Sequence, residues 1–326
     1  MYDILKNGAI LIGKNFTVDG HYKRLFRAVT HFHSDHLTEL EKSLKECTSI
    51  IGTPATIEAL DVLGYIVPKH KKFPLEYGIE IELSGERIKL EKAEHILGAA
   101  QVLIETDETE IAYTGDFREP GKGTKILNPD ILIIDATYGN PRLVRQFKQD
   151  VDMLFADYVS DELLKRPVKI YGYYGKIQEA MKILRKYGVE APFLVDNKIE
   201  KLTRIFTKYE GDLKNVVSLN TPEGREVLKN NWYVAFEHAT QFKKRDKFHA
   251  NFLLDGWLID NIIKTLDQNS FVIGMSSHAD FEETVYYIDN TSADLIVVDG
   301  SRSQYAKDLA SYINTHMKKK AVVLPR

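Results

Sequence analysis

Short apolar segments that end at a histidine or an aspartate recur along the first half of this sequence. Residues 25–30 run into His31, and the apolar run Ile131–Ile134 runs into Asp135. Each segment has the length and composition of a buried strand. The residues that follow predicted strands in this way are Asp19, His31, His95, Asp116 and Asp135. A single aspartate after a strand is usually a turn residue, but α/β proteins bind ligands at a sheet edge, so we expect one shared site.

The pattern changes at about residue 142. Residues 147–164 show helical periodicity, and residues 168–187 have the order strand, glycine-containing turn, helix. The earlier pattern returns with the apolar residues 270–275, which lead to His278, and with a later strand that leads to Asp299. A pattern that stops and then resumes predicts one domain inserted into another.

We therefore predict a discontinuous first domain, residues 1–145 and 271–326, and an inserted domain, residues 146–270, both of the α/β class. In the inserted domain, Lys176 follows a glycine turn that is most simply an ordinary strand-to-helix turn, with phosphate contact by Lys176 as the alternative. Several aromatic residues there are expected mainly in the core, with base stacking as the alternative. They are Trp232, Phe236, Phe242, Phe248 and Phe252.

Composition narrows the classes of protein that fit. The 326 residues are 44% hydrophobic with a formal net charge of −3, so the whole chain is not a basic nucleic-acid binder. Two basic clusters, residues 69–72 and 243–247, are solvated loops by default. No apolar run approaches the ~18 residues of a transmembrane helix. The N-terminus lacks a signal-peptide pattern, and the single cysteine, Cys47, fits a reducing cytoplasm.

The loop from His31 to His36 carries four metal-binding side chains in six positions, in a chain with only 10 histidines. Chance decoration of a loop is the alternative, but the spacing favours a metal site. Imidazole and carboxylate ligands suit zinc, with manganese also possible. His31 and His33 alternate along an extended segment, whereas Asp35 and His36 can turn to a second position. We therefore expect two divalent metal ions, as in enzymes that hydrolyse phosphoesters.

As a set, these motifs resemble the metallo-β-lactamase-fold hydrolases of the β-CASP nuclease group over nearly the whole chain. The first four motifs of that group match Asp19, the loop His31 to His36, His95 and Asp116, in that order. The acidic motif A matches Asp135, and motif B matches His278. The resemblance implies an αββα sandwich with an inserted α/β β-CASP domain.

The resemblance also implies a role for each site residue. The implied metal ligands are His31, His33 and His95 for one ion, Asp35, His36 and Asp299 for the other, and Asp116 between them. His278 would act as a general acid oriented by Asp135, and Asp35 is grouped with these catalytic residues. Asp19 would orient a ligand histidine. Ser276 and Ser277 are candidates, with Lys176, for contacts to substrate phosphate.

Two departures bear on the substrate. Motif C, a histidine in RNA-processing members and a valine in Artemis-type DNA nucleases, is replaced here by Asp299. The small-residue segment that precedes motif B in RNA-processing members is absent, and residues 16–36 and 114–118 look most like the Artemis-type branch. We therefore favour a nuclease that cuts DNA from its 5′ end, for repair or processing. The alternatives are an RNA-processing nuclease, a glyoxalase II-like thioesterase or lactonase, and a catalytically inactive nucleic-acid-binding subunit. The oligomeric state is left open.

Overall fold

The structure, a computed structural model, describes residues 1–326 and divides into two compact units. The first unit comprises residues 1–144 and 277–326, and the second comprises residues 145–276. The chain therefore leaves the first unit once and returns to it.

Twenty strands and eight α-helices form these units. The strands are β1 (Tyr2–Ile4), β2 (Ile10–Ile12), β3 (Phe16–Val18), β4 (Phe26–Ala28), β5 (Ser49–Gly52), β6 (Lys72–Pro74), β7 (Glu80–Leu83), β8 (Glu86–Lys92), β9 (Ala100–Glu105), β10 (Glu110–Tyr113), β11 (Ile131–Ile134), β12 (Val168–Gly172), β13 (Phe193–Val195), β14 (Val216–Ser218), β15 (Val234–His238), β16 (Ala250–Leu254), β17 (Ile263–Asp267), β18 (Ser270–Ile273), β19 (Leu295–Asp299) and β20 (Lys320–Leu324). The helices are α1 (Leu40–Glu46), α2 (Pro54–Leu63), α3 (Val151–Leu163), α4 (Lys176–Lys186), α5 (Asn197–Glu210), α6 (Pro222–Asn230), α7 (Phe281–Asn290) and α8 (Ala306–His316). Short 3-10 turns span Ser34–His36, Lys69–Lys71 and Ala239–Lys244.

The first unit contains two sheets that enclose a common core. One sheet has the order β1-β2-β3-β4-β5-β6, and the other has the order β20-β19-β11-β10-β9-β8-β7. Apolar side chains from both, such as Val18 and Val102, form one buried cluster between them. Helices α1 and α2 pack on β5, and α8 packs on β19 and β20. The predicted αββα sandwich is therefore confirmed.

Local sequence signals explain how parts of this unit begin. Strands β2 and β3 form an antiparallel hairpin around Gly13. Helix α2 begins at Pro54, and the Thr53 hydroxyl accepts the backbone N–H of Thr56 at 3.3 Å. This arrangement satisfies a helix N–H that has no partner within the helix.

The second unit is built on a single sheet with the order β14-β13-β15-β12-β16-β18-β17. Every pairing is parallel except that of β17 with β18. The strand Ser270–Ile273, which we expected to begin the return to the first domain, instead pairs with β16 and β17 here. The second unit therefore extends to residue 276 rather than 270.

The expectation that most of the singled-out aromatic residues are core residues is confirmed, since three of the five are buried. Phe236, Phe242 and Phe252 are buried, whereas Trp232 and Phe248 are about half exposed. None of the helices combines the length and the apolar character needed to cross a membrane.

Candidate metal centre

The predicted site residues of the first unit lie in loops next to strand or helix ends. The loop after β4 carries His31, His33, Asp35 and His36 and contains the turn Ser34–His36. His95 follows β8, Asp116 follows β10, and Asp135 follows β11 directly. His278 precedes α7, whose first turn is capped by Asp280. Residues that are far apart in the sequence thus lie close together, because each is next to the end of a strand or the start of a helix in this unit.

The carboxylate of Asp116 lies at the centre of this group. Its Oδ2 is 3.5 Å from Nε2 of His31 and 3.5 Å from Nε2 of His95. The same oxygen is 3.3 Å from Nε2 of His36 and 3.7 Å from Nε2 of His278. His33 completes the group, with its Nδ1 at 3.1 Å from Nε2 of His95. His31, His33, His95 and Asp116 together form a set that could hold a metal ion.

Hydrogen bonds on the outer ring nitrogens orient three of these imidazoles. Nδ1 of His95 donates to the carbonyl of Ser277 at 2.8 Å. Nδ1 of His36 donates to Oδ2 of Asp19 at 2.7 Å. Nδ1 of His31 lies 3.0 Å from the hydroxyl of Thr30, which itself donates to Asp19 at 2.7 Å. With Nδ1 acting as the donor, Nε2 of each ring in its neutral form carries a lone pair directed at the centre of the group.

Asp19 is held firmly for this role. Its backbone is left-handed with φ of 60°, a conformation that aspartate tolerates better than most residues. Its side chain also accepts the backbone N–H of Thr30 at 2.8 Å. The side chain is fully buried, so both carboxylate oxygens are committed to the loop that carries the histidines.

Burial and neighbouring charges set the protonation of the cluster. Burial lowers the pKa of His31 and His95 well below the usual value, and lowers that of His33 to about 4. Burial also opposes charge on His36, but the carboxylates of Asp116 and Asp19 outweigh it and raise its pKa well above the usual value. Neutral imidazoles, such as those of His31, His33 and His95, are the form that binds metals. The raised pKa of His36 indicates that the carboxylates of Asp116 and Asp19 favour a positive charge next to them.

The residues fit a divalent metal ion. Nε2 of His31 and Nε2 of His36 are buried and have no hydrogen-bond partner in the protein. A buried polar atom without a partner costs about 1–3 kcal/mol, so two of them facing one carboxylate need an explanation. Ligand atoms about 2.0–2.1 Å from a tetrahedral zinc ion lie about 3.3 Å apart. The observed separations of 3.3–3.5 Å between Asp116 and the nitrogens of His31, His36 and His95 match that spacing.

A second set beside the first contains His278, Asp135 and Asp116. Nδ1 of His278 lies 3.3 Å from Oδ2 of Asp135, and Oδ1 of Asp135 accepts both the N–H and the hydroxyl of Thr137. The side chain of His278 is 23% exposed, so it is open to a ligand while still held by the carboxylate. Asp35 is more exposed, and its Oδ2 is 3.4 Å from Nε2 of His36.

Asp299 is not brought into either set. Its Oδ1 accepts the N–H and hydroxyl of Ser301 at 2.8 and 2.5 Å, and its Oδ2 pairs with Arg302 at 3.0 Å. Arg302 also donates to the carbonyl of Gly8 at 2.7 Å. Both oxygens of Asp299 are therefore engaged by its own loop, and its role as a ligand stays a prediction without geometric support.

The three residues predicted to contact phosphate lie in different surroundings. Ser277 is buried, and its carbonyl accepts the hydrogen bond from His95. Ser276 and Lys176 belong to the second unit. There the ammonium group of Lys176 donates to the carbonyl of Met275 at 2.7 Å.

Sequence reasoning missed two residues that support the centre. Thr30 links His31 to Asp19 through its hydroxyl. Arg27, on β4, is fully buried and donates to the backbone carbonyls of Asp19 and His36. A charged residue inside an otherwise apolar strand was the available signal, because an arginine is almost never buried without partners.

Comparisons with known proteins found relatives of this chain. No family model matches the chain. An uncharacterized protein in the lig 3′ region of Acidianus ambivalens is 54% identical over 136 residues, which cover 41% of this chain and 97% of that protein. Probable RNase MJ4 of Methanocaldococcus jannaschii is 27% identical over 173 residues, 47% of this chain and 40% of the relative. DNA cross-link repair protein SNM1 of Arabidopsis thaliana is 30% identical over 176 residues, 50% of this chain and 35% of the relative.

The chain thus spans well under half the length of these two named relatives. Among solved structures, a protein of unknown function from Enterococcus faecalis V583 superposes with a TM-score of 0.64 at 14% sequence identity. That match covers 94% of this chain and 81% of the other. At this level of identity, the superposition supports the fold alone.

Proposed function

We propose that this chain, which belongs to the β-CASP group of the metallo-β-lactamase family, is a metal-dependent nuclease that hydrolyses phosphodiester bonds in nucleic acid. The observation that carries the proposal is the carboxylate of Asp116, which faces the metal-binding nitrogens and lies 3.7 Å from Nε2 of His278. A metal set and a separate acid–base residue next to each other are what phosphodiester hydrolysis requires. In this proposal, the first unit is the metallo-β-lactamase domain and the second is the inserted β-CASP domain.

Divalent ions would be held by His31, His33, His95 and Asp116 at one position and by His36 with Asp35 and Asp116 at the next. Bound there, they would lower the pKa of water to about 7 and neutralise charge on the phosphate oxygens. Zinc is our first choice because most of the ligands are imidazoles, and manganese is the second. Asp19 and Thr30 keep the imidazoles in the tautomer that leaves Nε2 free to bind metal.

His278 supplies the proton in this scheme. Water attacks the phosphorus and gives up one proton to the solvent, the bond to the leaving oxygen breaks, and Nε2 of His278 protonates that oxygen. Asp135 accepts from Nδ1, which fixes the orientation of the ring and stabilises its cationic form. His278→Asn should therefore lower turnover by about 10²- to 10⁴-fold while leaving the metal content unchanged.

DNA cut from its 5′ end is our first candidate substrate, since the sequence most resembles the DNA-cleaving branch. RNA is the second candidate, and it is favoured by the relative that is named an RNase. A panel of 5′-labelled and 3′-labelled DNA and RNA, single- and double-stranded, separates the two and reports the polarity of cleavage. Stepwise shortening from the 5′ end of DNA is the expected result.

Three controls test whether any cleavage comes from this site. Chelation by EDTA, Asp116→Asn and His278→Asn should each abolish or strongly reduce it. If the panel is left intact while a thioester or a lactone is hydrolysed in the same preparation, the chain is a glyoxalase II-like enzyme and the nuclease proposal is wrong. A preparation that retains almost no metal and cuts nothing would indicate an inactive nucleic-acid-binding subunit.

A further inference from the structure

The carboxyl ends of three neighbouring strands in the second unit are followed by aromatic residues. Strands β15, β12 and β16 are adjacent and parallel, so their carboxyl ends lie along the same edge of the sheet. β12 is followed by Tyr173 and Tyr174, β15 ends at His238, and Trp257 lies just beyond the end of β16. In open parallel sheets, ligands bind outside this edge.

The ring of His238 contacts the rings of both tyrosines. The ring of His238 lies 4.7 Å from that of Tyr174 at an angle of 45°, and 5.3 Å from that of Tyr173 in an edge-to-face arrangement. The ammonium group of Lys198, at the start of α5, is 5.8 Å from the centre of the Tyr174 ring. Burial and the nearby Lys198 lower the pKa of His238, so its ring is neutral at pH 7 and is suited to stacking.

Packing of the sheet does not account for the exposure of these residues. Tyr173 is 55% exposed and Trp257 is 53% exposed. By contrast, Phe236 and Phe252, within β15 and β16, are almost completely buried. Large aromatic side chains left in water at a ligand-binding edge indicate a surface that contacts a partner.

Some cations of the two basic clusters of the sequence are engaged within the fold. In the cluster 69–72, Lys71 donates to backbone carbonyls and Lys72 pairs with Asp61. In the cluster 243–247, Arg245 pairs with Asp267, whereas Asp246 pairs with Lys169 outside the cluster. The exposed rings at the sheet edge offer a contact of a different kind, stacking on bases, which does not depend on these cations.

We propose that Tyr173, Tyr174, His238 and Trp257, with Lys198, form a platform on which unpaired bases of single-stranded nucleic acid stack. This inference rests on the proposed function, because it assigns the strand-binding surface of the same protein. Aromatic rings stack on any base, whereas a lysine contacts the phosphate next to it. The platform would therefore bind single strands with little sequence preference and would not bind the stacked bases of a duplex.

The two tryptophans of the chain allow a direct test. Trp257 follows the carboxyl end of β16, whereas Trp232 precedes the amino end of β15 and is exposed to a similar extent, 50%. Trp232→Phe leaves only Trp257 to report, and Trp257→Phe leaves only Trp232. Short oligothymidylate or oligouridylate, added in the presence of EDTA to prevent cleavage, should quench the fluorescence of Trp257 and leave that of Trp232 unchanged.

A second measurement uses affinity for the same labelled oligonucleotides, followed by fluorescence anisotropy. Tyr173→Ala should weaken binding roughly 5- to 150-fold, since one stacked base contributes about 1–3 kcal/mol. The matched control is Tyr209→Ala, because Tyr209 is also partly exposed and has a lysine over its ring, with Lys208 Nζ at 4.8 Å. Tyr209 lies at the far end of α5 from Lys198, about 16 Å along the helix, and its loss should not change binding.

The platform is disproved if oligonucleotide leaves Trp257 unquenched, if Trp232 is quenched instead, or if Tyr173→Ala and Tyr209→Ala bind equally well. An unresponsive Trp257 would point to a protein partner for this edge. Quenching of Trp257 in a protein that cleaves no nucleic acid would support the platform and refute the nuclease. Cleavage with no effect of Tyr173→Ala on binding would refute the platform alone.

Discussion

Arg27 connects both sides of the metal-binding loop through its guanidinium group. It donates to the carbonyls of Asp19 at 2.5 Å, His36 at 3.1 Å and Thr38 at 3.1 Å, and to the hydroxyl of Ser43 at 3.0 Å. Burial lowers the pKa of Arg27 to about 10, partly opposed by Asp19, so the group stays charged at pH 7. A buried charge is tolerated only when its hydrogen bonds are satisfied. Here two of the acceptors, the carbonyls of His36 and Thr38, belong to the metal-binding loop or follow it directly.

We predict that Arg27→Met lowers both stability and metal affinity. Removal of the guanidinium leaves the buried carbonyls of Asp19 and His36 without this donor, at a cost of about 1–3 kcal/mol each. Freed from Arg27, His36 and Asp19 should lose their alignment, with a loss of about 10- to 100-fold in zinc affinity. Competition with a chromophoric chelator measures the affinity, and urea denaturation measures the stability.

Arg24→Met is the matched control for this change. Arg24 also donates to three backbone carbonyls, those of Ile12, Gly13 and Phe16, but it touches no ligand-bearing loop. The Arg24→Met protein should have a lower free energy of unfolding than the unsubstituted protein, with an unchanged affinity for zinc. Equal zinc affinity in the two variants would show that Arg27 has a purely structural role.

At the residue level, the sequence predicted side chains that act directly and missed those that act through the backbone. Histidines and aspartates at strand ends are visible because their spacing is unusual. The partners of Arg27 are mainly backbone carbonyl oxygens. Every residue has such an oxygen, so the sequence does not indicate which residues accept from Arg27. Asp299 fits the strand-end pattern, yet an arginine only three residues later engages its carboxylate, and that competition depends on the conformation of the loop.

The loop between β8 and β9 depends on the beginning of helix α2. Gly98 has a φ of +77°, and its carbonyl accepts the hydroxyls of Thr53 and Thr56 at 2.8 and 3.0 Å. This loop carries His95. The capping residues of one helix therefore help to hold a candidate metal ligand on a different loop.

We predict that Gly98→Ala destabilises the first unit and weakens metal binding. A Cβ at this position would lie 2.7 Å from Oγ1 of Thr53 and 2.8 Å from Oγ1 of Thr56. This clash adds to the about 1–2 kcal/mol that a left-handed backbone costs alanine. The control is Gly64→Ala at the other end of α2, where φ is +101° and nothing lies within 4 Å of the Cβ. Urea midpoints that fall equally in both variants would contradict the proposed clash.

At the level of helices and strands, the sequence indicates an element best where capping residues and an apolar pattern occur together. The start of α2 carries a strong local signal, because threonine as N-cap and proline in the first turn precede an apolar pattern. Thr221 and Pro222 start α6 in the same way, but its sequence contains few apolar residues and it was missed. The strand Ser270–Ile273 was recognised as a strand and assigned to the wrong unit. A uniformly apolar strand carries no information about its partners, which tertiary packing selects.

At the level of the whole molecule, the sequence predicts an insertion because the strand-end pattern stops at about residue 142 and resumes after residue 270. Each unit has its own sheets and a separate apolar cluster, one around Val18 and Val102 and the other around Leu194 and Ala235. All the candidate metal ligands belong to the first unit. Metal binding should therefore stabilise the first unit directly and should not act directly on the second unit.

We predict that chelation reduces the stability of the first unit selectively. A ligand present at about 1,000 times its dissociation constant stabilises the folded state by about 4 kcal/mol, and removal of the metal reverses this gain. Hydrogen exchange with and without EDTA should show faster exchange for β9, β10 and β11, whose ends lead to or from the site. The amides of β12, β16 and β18 should be unchanged, because the sheet that contains them has no ligand. Equal acceleration in both units would mean that they unfold as one cooperative body, and no change in either would argue against a bound metal.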